Sequence, residues 1–162
     1  MTLLTVFILS DYETLSMEIT QIIDSESQRV PILLYHHILT DDENVNFRGN
    51  DSVISYNQFY EQMKYIKDND IHTINSKELY DYLTYGIPIP ERSVVITFDD
   101  GYLSNEHYAY KIMKEFDLKG DIFLITSSIQ QYPLEFNPNF LPMLDWGRID
   151  KLNDVFTFYS HT

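Results

Sequence analysis

The sequence predicts an α/β fold with parallel strands, arranged as part of a (β/α) barrel. Three observations carry this expectation. Short β-favouring runs alternate with helically spaced segments at intervals of roughly 25–35 residues, as βαβ units do. The run SVVITFDDGY at 93–102 passes from a buried-strand pattern through two aspartates and a glycine into helical spacing, with Tyr108, Ile112 and Phe116 about one turn apart. Neither GxGxxG nor GxxxxGK followed by Ser or Thr occurs, so the nucleotide-binding open sheets leave no fingerprint. A barrel, with every C-terminal strand end at one mouth, suits the pattern better.

Length and composition set outer bounds. At 162 residues the chain is about one domain, and 44% hydrophobic with 15% aromatic content excludes general disorder. A net charge of −14 argues against nucleic acid as a partner, because phosphate binding needs a basic face. With no cysteine, disulfides and thiolate metal sites are excluded, so any metal must take His and carboxylate ligands.

In chain order, MTLLTVFILS at 1–10 is too short to span a bilayer and has no basic residues ahead of it; it reads either as the remnant of a leader or anchor or as a core strand. Residues 11–29, with Leu15, Ile19, Ile22 and Ile23 helically spaced, suit a surface helix or a spacer. PILLY at 31–35 is a buried strand ending in His36 and His37, and TDDENVNFRGND is a polar loop. Ser55 is expected to cap a helix that buries Phe59, Met63 and Ile66. A short strand at 71–74 follows, then a helix capped by Ser76 and ended by Gly86. After the 93–102 strand and its helix, which Gly120 is expected to close, come a strand at 121–126, a loop with three prolines, a short helix at 145–152 and a strand at 155–159, with His161 two residues beyond.

The Asp99-Asp100-Gly101 string also fits a hairpin turn. A hairpin needs a second alternating strand, and LSNEHYAYKIMKEF is helical in period, so the strand, turn, helix reading stands. Adjacent carboxylates at a strand end repel unless one is neutral or a cation lies between them, which makes a metal a reasonable inference. His72, inside a strand, and His107, on a helix, read as structural or solvated, and His37 as able to turn outward. His36 and His161 are either strand-end histidines with ordinary partners or members of a site with the aspartate pair.

SVVITFDDGY, preceded by PILLYHHI and followed by FTFYSHT, resembles the polysaccharide deacetylases of the NodB-homology type (carbohydrate esterase family 4). It is most similar to the branch that N-deacetylates poly-N-acetylglucosamine in biofilm matrices. The resemblance runs from about Arg29 to the end. It implies a distorted (β/α) barrel of which this chain is the N-terminal portion, with 1–28 a leader remnant or spacer and 29–162 a C-terminally incomplete deacetylase domain. It further implies a metal-dependent N-deacetylase of N-acetylglucosamine polysaccharide, extracellular or associated with the cell surface. By the same resemblance Asp99 is the general base acting on a metal-bound water, Asp100 and His161 are ligands of a divalent metal, most often zinc, and His36 is the general acid. The backbone N–H of Tyr102 would face the developing oxyanion. The second metal histidine of the family and its later motifs do not occur within these 162 residues, and about five strands cannot close a barrel, so weak metal binding and poor turnover are expected of this chain. Two other readings remain open: a non-catalytic glycan-binding relative, and a metal-dependent hydrolase of another substrate. The oligomeric state is not legible.

Overall fold

The computed structural model describes residues 5–7 and 29–161. The surface helix or spacer expected over 11–29 falls almost wholly outside them, as does most of the apolar run at 1–10. Of that run Thr5–Phe7 forms strand β1, which pairs in parallel with β2 (Pro31–Tyr35). The main sheet runs β1-β2-β6-β7-β8, where β6 is Ser93–Asp100, β7 is Gly120–Ile125 and β8 is Phe156–His161. β5 (His72–Ile74) pairs with the first residues of β6, and every pairing in this sheet is parallel. The α/β architecture with parallel strands is therefore as expected. β3 (His37–Leu39) and β4 (Val53–Ser55) add a two-stranded parallel sheet at the ends of the polar loop, which the composition of that loop did not suggest.

The two faces of β6 explain how its sequence positions the site. Val94, Ile96 and Phe98 belong to the main core with Leu33 and Tyr35 of β2, and with Phe59, Met63 and Ile66 of helix α1 (Tyr56–Asp68). Ser55 caps α1 as expected, its hydroxyl accepting from the Gln58 N–H while Gln58 reaches back to the Ser55 N–H. On the opposite face Val95 joins Val30, Ile74 and Leu79 in a smaller cluster, covered by α2 (Ser76–Tyr85). Further along that face Thr97 and Asp99 look into a cleft.

The structure corrects several boundaries. Asn75, not Ser76, caps α2: its side chain accepts from the Glu78 N–H. Ser76 instead gives its N–H to buried Asp121 at 2.6 Å, and its hydroxyl to the same carboxylate oxygen. Gly120 does not close the helix after β6. That helix, α3 (Lys111–Glu115), ends earlier, and Asp117 takes the left-handed conformation at φ 57°. Gly120 opens β7, where a Cβ would lie 2.9 Å from Met113 Cε and 3.0 Å from Ile96 O, so close packing selects the glycine there. α4 covers only Trp146–Ile149, capped by Asp145, and His161 is the last residue of β8 and not beyond it. The segment before α3 is a π-helix, Asn105–Tyr110.

The turn after β6 is tight. Asp100 has φ 70° and the Gly101 N–H donates to the Asp99 carbonyl at 2.9 Å, which marks a γ-turn of the rare positive-φ kind centred on Asp100. Gly101 follows at φ 86°, and a Cβ there would come within 2.6 Å of Leu124 Cδ2. Gly101→Ala should therefore lower stability by about 1–3 kcal/mol in urea unfolding. An unchanged midpoint would contradict this geometry.

Candidate active site

The C-terminal ends of β2, β6 and β8 bring four of the sequence-predicted residues together. His36 Nε2 is 3.9 Å from Asp99 Oδ2, His161 Nε2 is 3.5 Å from the same oxygen, and His161 Nε2 is 3.9 Å from Asp100 Oδ1. Register accounts for this: β6 lies between β2 and β7, β7 pairs Ile125 with His161, and Asp100 pairs with Leu124. Each of the four side chains keeps about a fifth to a third of its surface in solvent, as an open reaction site needs. Asp99 and His161 line a cleft of about 390 Å³, with Thr97, Phe123 and Ser160 among its other walls.

Asp100 and His161 suit a shared cation. Two donors each about 2.0–2.2 Å from one zinc ion stand about 3.4 Å apart at the tetrahedral angle, about half an ångström less than the 3.9 Å between His161 Nε2 and Asp100 Oδ1. Imidazole and carboxylate are both ligand types that zinc takes, in sets of three or four in protein sites, and Asp100 with His161 supplies two. Among the described residues no set of three or more His, Asp or Glu side chains is gathered as a metal-holding group.

Tyr102, the fifth predicted residue, stands apart from this cluster in role. Its ring lies against His37 at 5.2 Å between centroids, and burial, aided by the nearby Asp100 carboxylate, pushes its hydroxyl up to about 12. Its backbone pairs with Met143 in an antiparallel bridge. On either side, the Leu103 N–H donates to Pro142 O at 2.7 Å and the Leu144 N–H to Gly101 O at 2.9 Å. The three-proline loop thus returns to hold the turn that follows the aspartates.

His37 does not turn outward. It is 1% exposed, and Ser104 explains why. The Ser104 hydroxyl oxygen accepts from the Ile38 N–H at 3.2 Å, and the same hydroxyl is hydrogen-bonded to His37 Nδ1 at 2.8 Å. His37 Nε2 is buried with no hydrogen-bond partner among the described residues. Burial lowers the His37 pKa to about 4, against an ordinary value of 6.5. The unfolded chain then binds the extra proton first, so stability is complete above about pH 6.5 and falls as the pH drops toward 4, by about 3 kcal/mol in all. Urea unfolding of wild type and His37→Gln across this range should show the difference shrinking by that amount on acidification. A constant difference would place His37 in water. His107 is structural, as expected, its ring stacked on Phe136 at 4.3 Å.

Fold and site together define a parallel α/β protein with carboxylates and imidazoles displayed at the C-terminal strand ends of one sheet. Comparison with known proteins narrows the class. Residues 86–149 match the family described as polysaccharide deacetylase. YxkH of Bacillus subtilis, assigned by name to the polysaccharide deacetylases, is 37% identical over 101 residues, covering 62% of this chain and 33% of the relative. The poly-β-1,6-N-acetyl-D-glucosamine N-deacetylase of Staphylococcus aureus is 34% identical over 76 residues, 47% of this chain and 26% of the relative. Among solved structures, the Streptococcus pyogenes deacetylase PplD superposes with a TM-score of 0.66 at 25% identity, over 82% of this chain and 56% of that one. IcaB from Ammonifex degensii does so with a TM-score of 0.62 at 25% identity, over 81% and 52%. These matches establish the resemblance to polysaccharide deacetylases of the NodB type, and with it the partial (β/α) barrel. The chain spans a third or less of these curated relatives and about half of these solved chains.

Proposed function

We propose that this chain carries the reaction centre of a metal-dependent N-deacetylase of N-acetylglucosamine polysaccharide, a hydrolase of carbon–nitrogen bonds. The observation that supports it most is Asp99 flanked at 3.9 and 3.5 Å by His36 and His161, with Asp100 adjacent. Asp100 and His161 would hold the divalent metal, with zinc the best fit to their chemistry. Bound there, the metal would supply Lewis acidity toward the acetyl carbonyl and acidify water.

The remaining work falls to side chains and backbone. Asp99 takes a proton from the water that adds to the acetyl carbon. Protonated His36 gives its proton to the nitrogen as the carbon–nitrogen bond breaks, so acetate and a free amine leave. The backbone N–H of Tyr102 faces the oxygen on which negative charge develops. The γ-turn lies between the two roles, with both consecutive carboxylates within 3.9 Å of His161 Nε2. A glycan of this kind lies outside the cell, so the protein is assigned to the cell surface or the extracellular space. Fractionation that leaves it wholly in the cytosol would remove that assignment.

The test is acetate release from poly-N-acetylglucosamine and chitooligosaccharides, with and without chelator, together with zinc binding by calorimetry. Slow zinc-dependent release should be found, and Asp100→Asn or His161→Ala should each weaken the already weak zinc binding by at least about tenfold. Zinc affinity indifferent to both substitutions would overturn the metal assignment. A panel in which another acyl or phosphoryl substrate is turned over and no glycan is would overturn the substrate.

A further inference from the structure

Asp100 is held by more than its turn. The Tyr102 hydroxyl donates to the Asp100 carboxylate, a hydrogen bond that spans only Gly101. Asp100 stands at φ 70° at the end of β6, and its side chain keeps 20% of its surface in solvent. A carboxylate so placed turns about both side-chain torsions unless a neighbour holds it. His161 Nε2 approaches Oδ1 only to 3.9 Å, beyond hydrogen-bond distance, so that contact does not set the angle of the carboxylate.

Tyr102 is itself a fixed donor. Its backbone bridges Met143, and its carbonyl accepts from the Asn105 N–H at 3.0 Å. Its ring lies on His37 at 5.2 Å between centroids and 51° between planes. His37 is anchored in turn: it lies in β3, its N–H donates to the Ser52 carbonyl at 3.0 Å, Phe47 stands edge-on at 6.0 Å, and the Ser104 hydroxyl meets Nδ1 at 2.8 Å. With main chain and ring both placed, the side-chain torsions of Tyr102 leave its hydroxyl little choice of position. Ser104, His37, Tyr102 and Asp100 thus form a series of contacts that starts at two fully buried residues and ends at a carboxylate in solvent.

A hydroxyl suits this task. It occupies one of about four lone-pair directions of the carboxylate and leaves the others for a cation. It also brings no charge to compete with one. Support of this kind behind a metal-ligating group is worth about 10- to 100-fold in metal affinity.

We propose that Tyr102 is a positioning residue whose hydroxyl sets the orientation of the Asp100 carboxylate, separately from the task of its backbone N–H. The effect on metal rests on the reading of Asp100 as a ligand; the hold on Asp100 does not. One residue then serves the site twice, and Tyr102→Phe separates the two uses, because it keeps the N–H and the ring on His37 and removes only the hydroxyl.

The experiment uses the 162-residue chain as wild type, Tyr102→Phe, Asp100→Gly and the double variant. Glycine removes the carboxylate and accepts φ 70° without strain. Zinc binding is read by calorimetry, and urea unfolding of the same four proteins is measured in chelator. Tyr102→Phe should raise the zinc dissociation constant about tenfold in the wild-type background, and less than about twofold once Asp100 is glycine. In chelator the two substitutions should be non-additive by about three- to tenfold in the unfolding equilibrium constant, since either one breaks the same hydrogen bond. Additive effects in chelator overturn the proposal. So does a Tyr102→Phe protein that binds zinc as wild type does while Asp100→Gly has lost it. Coupling in chelator together with zinc affinity indifferent to Asp100→Gly leaves Tyr102 as the residue that orients Asp100 and removes the metal reading.

Discussion

Asp99→Asn is expected to lower kcat/KM for acetate release by about 100- to 10,000-fold, the span that a positioned general base contributes. The amide retains the shape of the carboxylate and its place at 3.5 Å from His161, but it has no lone pair basic enough to take a proton from water. Zinc affinity is the discriminating readout. If Asp99 works as base and Asp100 as ligand, Asp99→Asn should change zinc binding far less than Asp100→Asn does. A variant that loses metal and activity in parallel would exchange the two roles. One that retains more than a tenth of the activity would take the base away from Asp99 altogether.

Phe98→Ala should cost about 3–5 kcal/mol in urea unfolding, as aromatic deletions from packed cores do. Phe98 has no exposed surface, and its ring meets Tyr35 at 5.5 Å, Phe59 at 5.8 Å and Phe156 at 5.5 Å between centroids. It is therefore the point where β2, α1 and β8 close around β6, one residue before the aspartate pair. The cavity left by its deletion lies among side chains held by two strands and a helix, so little of it can collapse. A loss below about 1 kcal/mol would mean that these rings do not enclose it. Because strand register here also sets the His161 to Asp99 spacing, a folded Phe98→Ala is expected to lose activity beyond its loss of stability.

The alternation of runs and the polarity switch within SVVITFDDGY made the parallel sheet and the aspartate pair legible in the sequence, because burial on both faces of a strand demands continuous apolar residues. The convergence of His36, Asp99 and His161 followed from strand ends sharing one edge. Features decided by tertiary neighbours were not legible. His37 is drawn inward by Ser104, sixty-seven positions away, and no local pattern announces that bond. Gly120 resembles a helix stop, but the proximity of Met113 and Ile96 is what requires it. Ser76 looks like a cap because serine often is one; here Asn75 takes that role and Ser76 serves Asp121. The left-handed Asp100 carries no sequence signal beyond the tolerance of aspartate for positive φ.

The π-helical turn at Asn105–Tyr110 has a consequence for reading related sequences. Each residue of an α-helix advances about 100° around its axis, so a regular helix from Ser104 onward would have a single phase. Here two phases are required: Ser104 must meet His37 at the strand end, and Ile112 and Met113 must meet the sheet. The wider turn inserts the offset between them. A relative that lacks this bulge should align with a one-residue gap inside NEHYAY, and the residue it lacks is an insertion that re-phases the helix, not a missing part of the site.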